Sequence, residues 1–167
     1  MVFLVVLRLA AIGSDAALDA YARIARSIQA RAVLGAWLVA ALAMIGSLFF
    51  SEIAKFTPCT LCWYQRIAMY PLVVILGVAL AKREDHAPTG SATLAAVGAA
   101  IAAYHVALEW IPSLGSGACD AAAPCTVVWF RAFGIFSLPT LALTAFLLIL
   151  TLLLVRDPDE ADRWSDR

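Results

Sequence analysis

Residues 57–82, TPCTLCWYQRIAMYPLVVILGVALAK, decide how this chain is read. A Cys-x-x-Cys pair, Cys59 and Cys62, and an arginine, Arg66, stand where a long apolar run begins. Thiols at that register can be structural, can hold a metal, or can pass electrons between water and something dissolved in lipid. The surroundings must decide which.

Those surroundings are membrane-like. The chain is 167 residues long, 63% hydrophobic and only 14% charged, far from a soluble globule and within the length of one domain. Four segments are long and apolar enough to cross roughly 30 Å of hydrocarbon at about 20 residues each. They lie near 32–51, 63–82, 91–110 and 134–155, the third rich in small residues and the fourth the most hydrophobic. An all-α, integral membrane four-helix bundle follows, since helices satisfy their own backbone groups in lipid. Lys plus Arg (12) equals Asp plus Glu (12), so no basic excess points to nucleic acid.

Four spans put both termini on one side, and charge says which. Arg8, Arg23, Arg26, Arg31, Lys82, Arg83, Arg156, Arg163 and Arg167 fall on the side of the termini and the 83–90 loop. Only Lys55, Arg66 and Arg131 fall on the other. Cytoplasmic termini are therefore expected, with two outer loops near 52–62 and 111–133. All four cysteines sit in those outer loops, Cys119 and Cys125 in the second. In an oxidising compartment an even set of four reads as two disulfides, cycling or permanent.

The ends divide from this bundle. Residues 1–31 form an N-terminal segment: 1–13 are apolar but too short to span and lack the pattern of a signal peptide. From Ser14, an N-cap candidate, Leu18, Tyr21, Ile24, Ala25 and Ile28 mark one helix face, as in a helix lying on the cytoplasmic membrane surface; a leader of no special role fits equally. Residues 32–155 make the membrane domain and 156–167 a polar cytoplasmic tail.

The thiols have a physical rationale. Cys62 in the first turn of the second span would meet unpaired backbone N–H groups and the helix dipole, which favour a thiolate. Arg66 follows four residues later on the same face, about 6 Å along the axis. A guanidinium inside hydrocarbon costs up to about 3 kcal/mol at the centre. It can snorkel to the headgroups, or hold a polar ligand head and stabilise negative charge arising there. His105, near the outer end of the third span with Glu109 on the same face, is either packed and hydrogen-bonded or binds a carbonyl oxygen and relays a proton. Ala95, Ala96, Gly98, Ala99, Ala102 and Ala103 allow a neighbouring helix, or a flat ring, to come close. A four-thiolate zinc site is disfavoured by the loose Cys-x5-Cys spacing, so no metal is expected. Haem attachment would need histidine where Trp63 stands.

With PCTLCWYQR opening the second of four spans, Tyr104-His105 closing the third and a second outer cysteine pair before the fourth, residues 32–155 resemble the DsbB/BdbC family of quinone-coupled thiol oxidases. The resemblance implies a membrane enzyme that reoxidises a DsbA-like thioredoxin-fold partner and reduces ubiquinone or menaquinone from the quinone pool of the bacterial cytoplasmic membrane. It implies that the partner attacks a Cys119–Cys125 disulfide at Cys119, that Cys125 exchanges with Cys59, and that Cys62 is released facing the quinone. Arg66 matches the arginine at the quinone head, and His105 lies where a quinone-site histidine is expected. The short spacing of the second pair is like that of BdbC-type members, Gln65 stands where longer members carry an acid, and the first 30 residues find no counterpart. Vitamin K epoxide reductase shares a four-helix core, but there the loop pair precedes the Cys-x-x-Cys. A non-catalytic scaffold stapled by disulfides is the rival outside enzymes.

Overall fold

The computed structural model describes residues 15–83, 87, 88, 90–115, 119 and 123–154, with side chains from residue 31 onward. The apolar start at 1–13, the amphipathic face proposed over 18–28 and the polar tail from 156 lie outside these described side chains. Among the described residues four α-helices make the fold: α1 (Asp15–Leu48), α2 (Thr60–Ala81), α3 (Ser91–Trp110) and α4 (Leu138–Leu154). A π-helical turn, Phe49–Ile53, extends α1, and a short 3-10 turn, Pro112–Leu114, follows α3. Among the described residues there is no strand, only one isolated bridge between Ala132 and Phe136.

The helices pack in a ring, α1 beside α2, α2 beside α3, α3 beside α4 and α4 back against α1, with little contact across the diagonal from α2 to α4. Successive helices therefore alternate in direction, and both cysteine-bearing connections fall at one end. Outward faces are apolar: Ile67 is 64% and Val74 65% exposed, surface that only lipid accommodates at such density. By length and composition three helices suffice to cross a membrane, Arg31–Ile53, Thr60–Ala81 and Ser91–Trp110; Leu138–Leu154 is apolar but has 17 residues. The chain is a multi-pass membrane protein built as a four-helix bundle.

Two boundaries differ from the hydropathy windows. The helix expected from an N-cap at Ser14 begins at Asp15 and runs unbroken for 34 residues into the span expected near 32–51, so the boundary at 31 falls inside one helix. Hydropathy locates the buried or lipid-facing part of a helix, and polar residues at 15–31 continue it unseen. The fourth helix starts at Leu138, not near 134, because Phe133 and Gly134 both adopt positive φ (52° and 74°) in a tight turn. The next residue but two, Ser137, then caps the helix: its N–H donates to Thr140 Oγ1 at 2.7 Å.

The small-residue face of α3 explains the core. Ala95, Gly98, Ala99 and Ala102 are buried, whereas Ala96 and Ala103 face outward. Phe146 of α4, fully buried, fills the gap: a Cβ on Gly98 would lie 2.2 Å from its ring. The stripe serves helix packing at that level. Gly98→Ala is accordingly expected to destabilise the bundle by about 1–3 kcal/mol through overpacking. Thermal unfolding in detergent measures it, and an unchanged midpoint would contradict this packing.

Candidate functional site

The site forms where the N-terminal end of α2 and the C-terminal end of α3 meet the two cysteine-bearing loops. Cys59 is the N-cap of α2: its backbone is extended (φ −77°, ψ 172°) and its sulfur accepts the Cys62 N–H at 3.3 Å. Thr60, Leu61 and Cys62 form the first turn, which brings the two sulfurs to 2.6 Å. A bond of about 2.0 Å needs little further movement. The sequence argument placed the anion-favouring position at Cys62, whereas the capping sulfur is that of Cys59. Its thiol is held well below the ordinary range by the hydrogen bond from Cys62, against the opposing effect of burial, with further help from His105.

Cys119 and Cys125 are joined as a disulfide. Both pack into one cluster with Cys59, Cys62, Leu61 and Leu108, so two cysteine pairs some sixty residues apart share one apolar environment. The four sulfurs differ in access. Cys119 is half-buried in its loop, Cys125 is 2% and Cys59 6% exposed, and Cys62 lies on the wall of a cavity.

His105 is 3% exposed and sits between the pairs. Its Nε2 lies 3.1 Å from the Cys125 carbonyl oxygen and 3.8 Å from Cys59 Sγ, and its Nδ1 is 3.0 Å from the Gln65 amide nitrogen. A carbonyl only accepts and an amide NH2 only donates, so Nε2 carries the ring proton and Nδ1 accepts. Glu109, expected on the His105 face, accepts a hydrogen bond from the Ser137 hydroxyl at 2.5 Å, tying α3 to the start of α4. Cys59, Cys62 and His105 bring three ligand-type atoms within 4.8 Å of one another. Both ring nitrogens of His105 are already engaged, however, and offer an ion no free lone pair.

Beside Cys62 lies a cavity of about 470 Å³ between α1, α2 and α4. Its walls are mainly aliphatic, and Leu42, Leu141 and Leu148 at its edge are exposed on the lipid-facing surface. Its polar lining includes Cys62, Gln65, Arg66, His105 and Ser47 near the cysteine-bearing end, with Tyr70 and Thr144 further along α2 and α4. Arg66 does not reach back alone to the headgroups. Its Nε donates to Ser47 Oγ at 2.9 Å and its Nη2 to the Ser47 carbonyl at 3.0 Å, while its guanidinium lies 5.1 Å from the centre of the Trp63 ring. Ser47, one residue before the end of α1, thus fixes the charge against the cavity. A π-helical turn beginning two residues later is a feature often found where a helix serves a site.

Aromatic rings cover the outer end. Phe56 stacks on Trp129 (5.1 Å between centres, 9° between planes) and on Phe50 (5.7 Å, 13°), and Phe50 also stacks on Phe130. They join the first cysteine-bearing loop to the second. Sequence reasoning missed Ser47, Phe50, Phe56 and Trp129, and treated Gln65 only as a departure. A polar side chain in the first turns of an apolar helix was a usable signal for Gln65; the others meet the site only through tertiary contact.

Comparison with known proteins agrees with this arrangement. A family model described as disulfide bond formation protein DsbB matches residues 29–156. A probable disulfide formation protein C of Bacillus cereus is 44% identical over 122 residues, 72% of this chain and 88% of the relative. The disulfide bond formation protein C of Bacillus subtilis is 45% identical over 115 residues, 68% of this chain and 83% of its own length. A probable disulfide formation protein C of Halalkalibacterium halodurans is 43% identical over 129 residues, covering 75% and 93% respectively. No solved structure gives a significant match. With a helical membrane bundle that gathers a Cys-x-x-Cys and a second loop disulfide at one end, and relatives of this closeness, the chain belongs to the DsbB family of disulfide bond formation proteins.

Proposed function

We propose that this oxidoreductase takes two electrons from a DsbA-like dithiol protein of thioredoxin fold and delivers them to a membrane quinone, ubiquinone or menaquinone. The observation that carries the proposal is the gradient of access along the four cysteines. Cys119 is half-buried in the second loop, Cys125 and Cys59 are buried together, and Cys62 faces an apolar cavity that opens toward lipid. A stapled scaffold has no need of such an order.

The steps balance as thiol–disulfide exchange. A partner thiolate attacks Cys119, the Cys119–Cys125 bond breaks, and Cys125 leaves as a thiolate; the partner's second thiol then resolves the mixed disulfide. Cys125 attacks Cys59 of an oxidised Cys59–Cys62 pair, and Cys62 leaves as a thiolate at the cavity wall. After Cys119 displaces Cys59 from Cys125, the second disulfide is restored and Cys59 and Cys62 are left reduced. Bound in the cavity, a quinone supplies the acceptor for two electrons and two protons, and the Cys59–Cys62 disulfide is regenerated. The cavity's residues fit such a head: Arg66, held by Ser47, offers charged N–H donors to a carbonyl oxygen, and the aliphatic walls suit an isoprenoid tail.

The excess of Lys and Arg on the side of the termini supports cytoplasmic ends, with the cysteine loops facing the periplasm or cell exterior across the bacterial cytoplasmic membrane. Arg66→Met tests the quinone assignment. Loss of charge-assisted hydrogen bonds worth about 1.5–3 kcal/mol predicts a KM for quinone raised by about tenfold or more, with exchange between the donor and Cys119–Cys125 unchanged. A variant with wild-type quinone kinetics would place the acceptor elsewhere.

A further inference from the structure

The relay above requires Cys125 and Cys59 to meet, yet they belong to different loops, and the described hydrogen bonds include none between these two residues directly. What links them is His105. Its Nε2–H points at the Cys125 carbonyl at 3.1 Å and lies 3.8 Å from Cys59 Sγ, so one N–H spans the acceptor groups of both residues. That N–H exists on Nε2 only while the ring holds one of its two neutral tautomers. Gln65 selects it: the amide nitrogen donates to Nδ1 at 3.0 Å, occupying the lone pair that the other tautomer would have to protonate. Gln65 is 8% exposed and His105 3%, so water does not compete for either group.

We propose that Gln65 is a positioning residue for exchange between the two cysteine pairs, acting by fixing His105 as the Nε2–H tautomer that holds Cys125 over Cys59. This rests on the relay reading given above. The exchange it serves is electron-neutral: Cys125 sulfur attacks Cys59 sulfur, the Cys59–Cys125 bond forms, the Cys59–Cys62 bond breaks, and Cys62 takes the electron pair. Gln65 touches none of the reacting atoms in this step. Its contribution is to the encounter of Cys125 with Cys59, and it should appear as an effective concentration of one thiol for the other.

The test uses full-length protein carrying Cys62→Ser and Cys119→Ser, which leaves Cys59 and Cys125 as the sole thiols. Equilibration with reduced and oxidised glutathione gives the effective concentration of the pair. Nitrogen-15 NMR of labelled histidine gives the tautomer, with a His86→Gln version assigning the signal of His105, since the chain has two histidines. With Gln65 present, His105 is expected to be protonated on Nε2. Gln65→Leu should remove that preference and lower the effective concentration at least about tenfold, a change of about 1.4 kcal/mol. Gln65→Glu should stay within about threefold of the parent, because its carboxylate pairs with a ring protonated on both nitrogens, which keeps the Nε2–H in place. A merely structural glutamine would not show rescue by Glu together with a tautomer change in Leu.

Three results would overturn the proposal: an Nδ1–H tautomer in the parent protein, a Leu variant with an unchanged effective concentration, or a Glu variant as impaired as Leu. The first needs no Gln65 variant, so misfolding of the Leu protein cannot shelter the idea. Neither readout includes quinone or donor. Failure of quinone turnover would therefore refute the proposed function without touching these measurements, and the reverse holds as well.

Discussion

Cys62→Ser is expected to abolish quinone reduction by the purified protein, lowering turnover at least about 1000-fold, the scale on which enzymes lose rate when an acting nucleophile is removed. Cys62 is the one cysteine on the cavity wall, and its sulfur stands 2.6 Å from that of Cys59. Serine preserves the volume and the helix start, including the backbone N–H that Cys59 Sγ accepts. What it removes is the sulfur that must leave as a thiolate beside Arg66 and close the disulfide again. Donor attack on Cys119–Cys125 should persist for a single exchange and then stop, since without a Cys59–Cys62 disulfide nothing reoxidises the reduced Cys119 and Cys125. Quinone consumption measured by absorbance under anaerobic conditions, beside thiol trapping of the donor, checks both halves. Wild-type turnover would end the assignment of Cys62.

Cys119→Ser should produce the complementary defect. Oxidation of a thioredoxin-fold donor falls by a similar factor, because the disulfide that the donor attacks no longer exists. The first pair is not damaged: pre-reduced Cys59 and Cys62 should still reduce one equivalent of quinone at a rate within about twofold of wild type. The expectation depends on the separation of access seen in the structure, with Cys119 half-buried in its loop and Cys62 at the cavity. Single-turnover mixing with quinone, followed by alkylation and mass mapping of the cysteines, measures it. Loss of the quinone half-reaction as well would mean that the second pair, not the first, meets the acceptor.

The two variants divide the site along a line that the sequence partly drew. The third helix, Ser91–Trp110, coincides with the apolar window at 91–110, because Gly90, at φ 94°, and Pro112 bound it. Cys62 falls in the first turn of α2 as spacing required, for a Cys-x-x-Cys at a helix start leaves the chain little choice. The start of α1 was legible in Ser14 as an N-cap, but its continuity with the first apolar span was not, since hydropathy divides the helix near 31 where the backbone does not. Nor was the partner of Arg66. Ser47 reads as one more small residue in an apolar span, and its two hydrogen bonds to Arg66 bridge nineteen positions with no local pattern. Gln65 and His105 are forty residues apart, and their contact follows only from the packing of α2 on α3. Glu109 lies one turn from His105 on α3, as spacing requires, whereas its hydrogen bond from Ser137 at the start of α4 has no local pattern in the sequence.

The aromatic roof belongs to the same class of feature. Phe50, Phe56 and Trp129 come from the end of α1 and from both outer loops, and their stacking depends on the loops being closed together. In sequence they are ordinary interfacial aromatics. In the bundle they line the end of the cavity where Arg66 and Cys62 lie.

In the proposed relay electrons run from a partner dithiol through both cysteine pairs to a lipid-soluble acceptor. Anaerobic stopped-flow absorbance tests it most directly, with the purified protein loaded with quinone and mixed with a reduced thioredoxin-fold dithiol donor while quinone loss and donor oxidation are followed together. The account predicts one quinone consumed per donor dithiol oxidised. Donor oxidation without quinone loss, or no reaction with ubiquinone and menaquinone across several donors, would contradict it and leave the cysteines as staples of the outer loops.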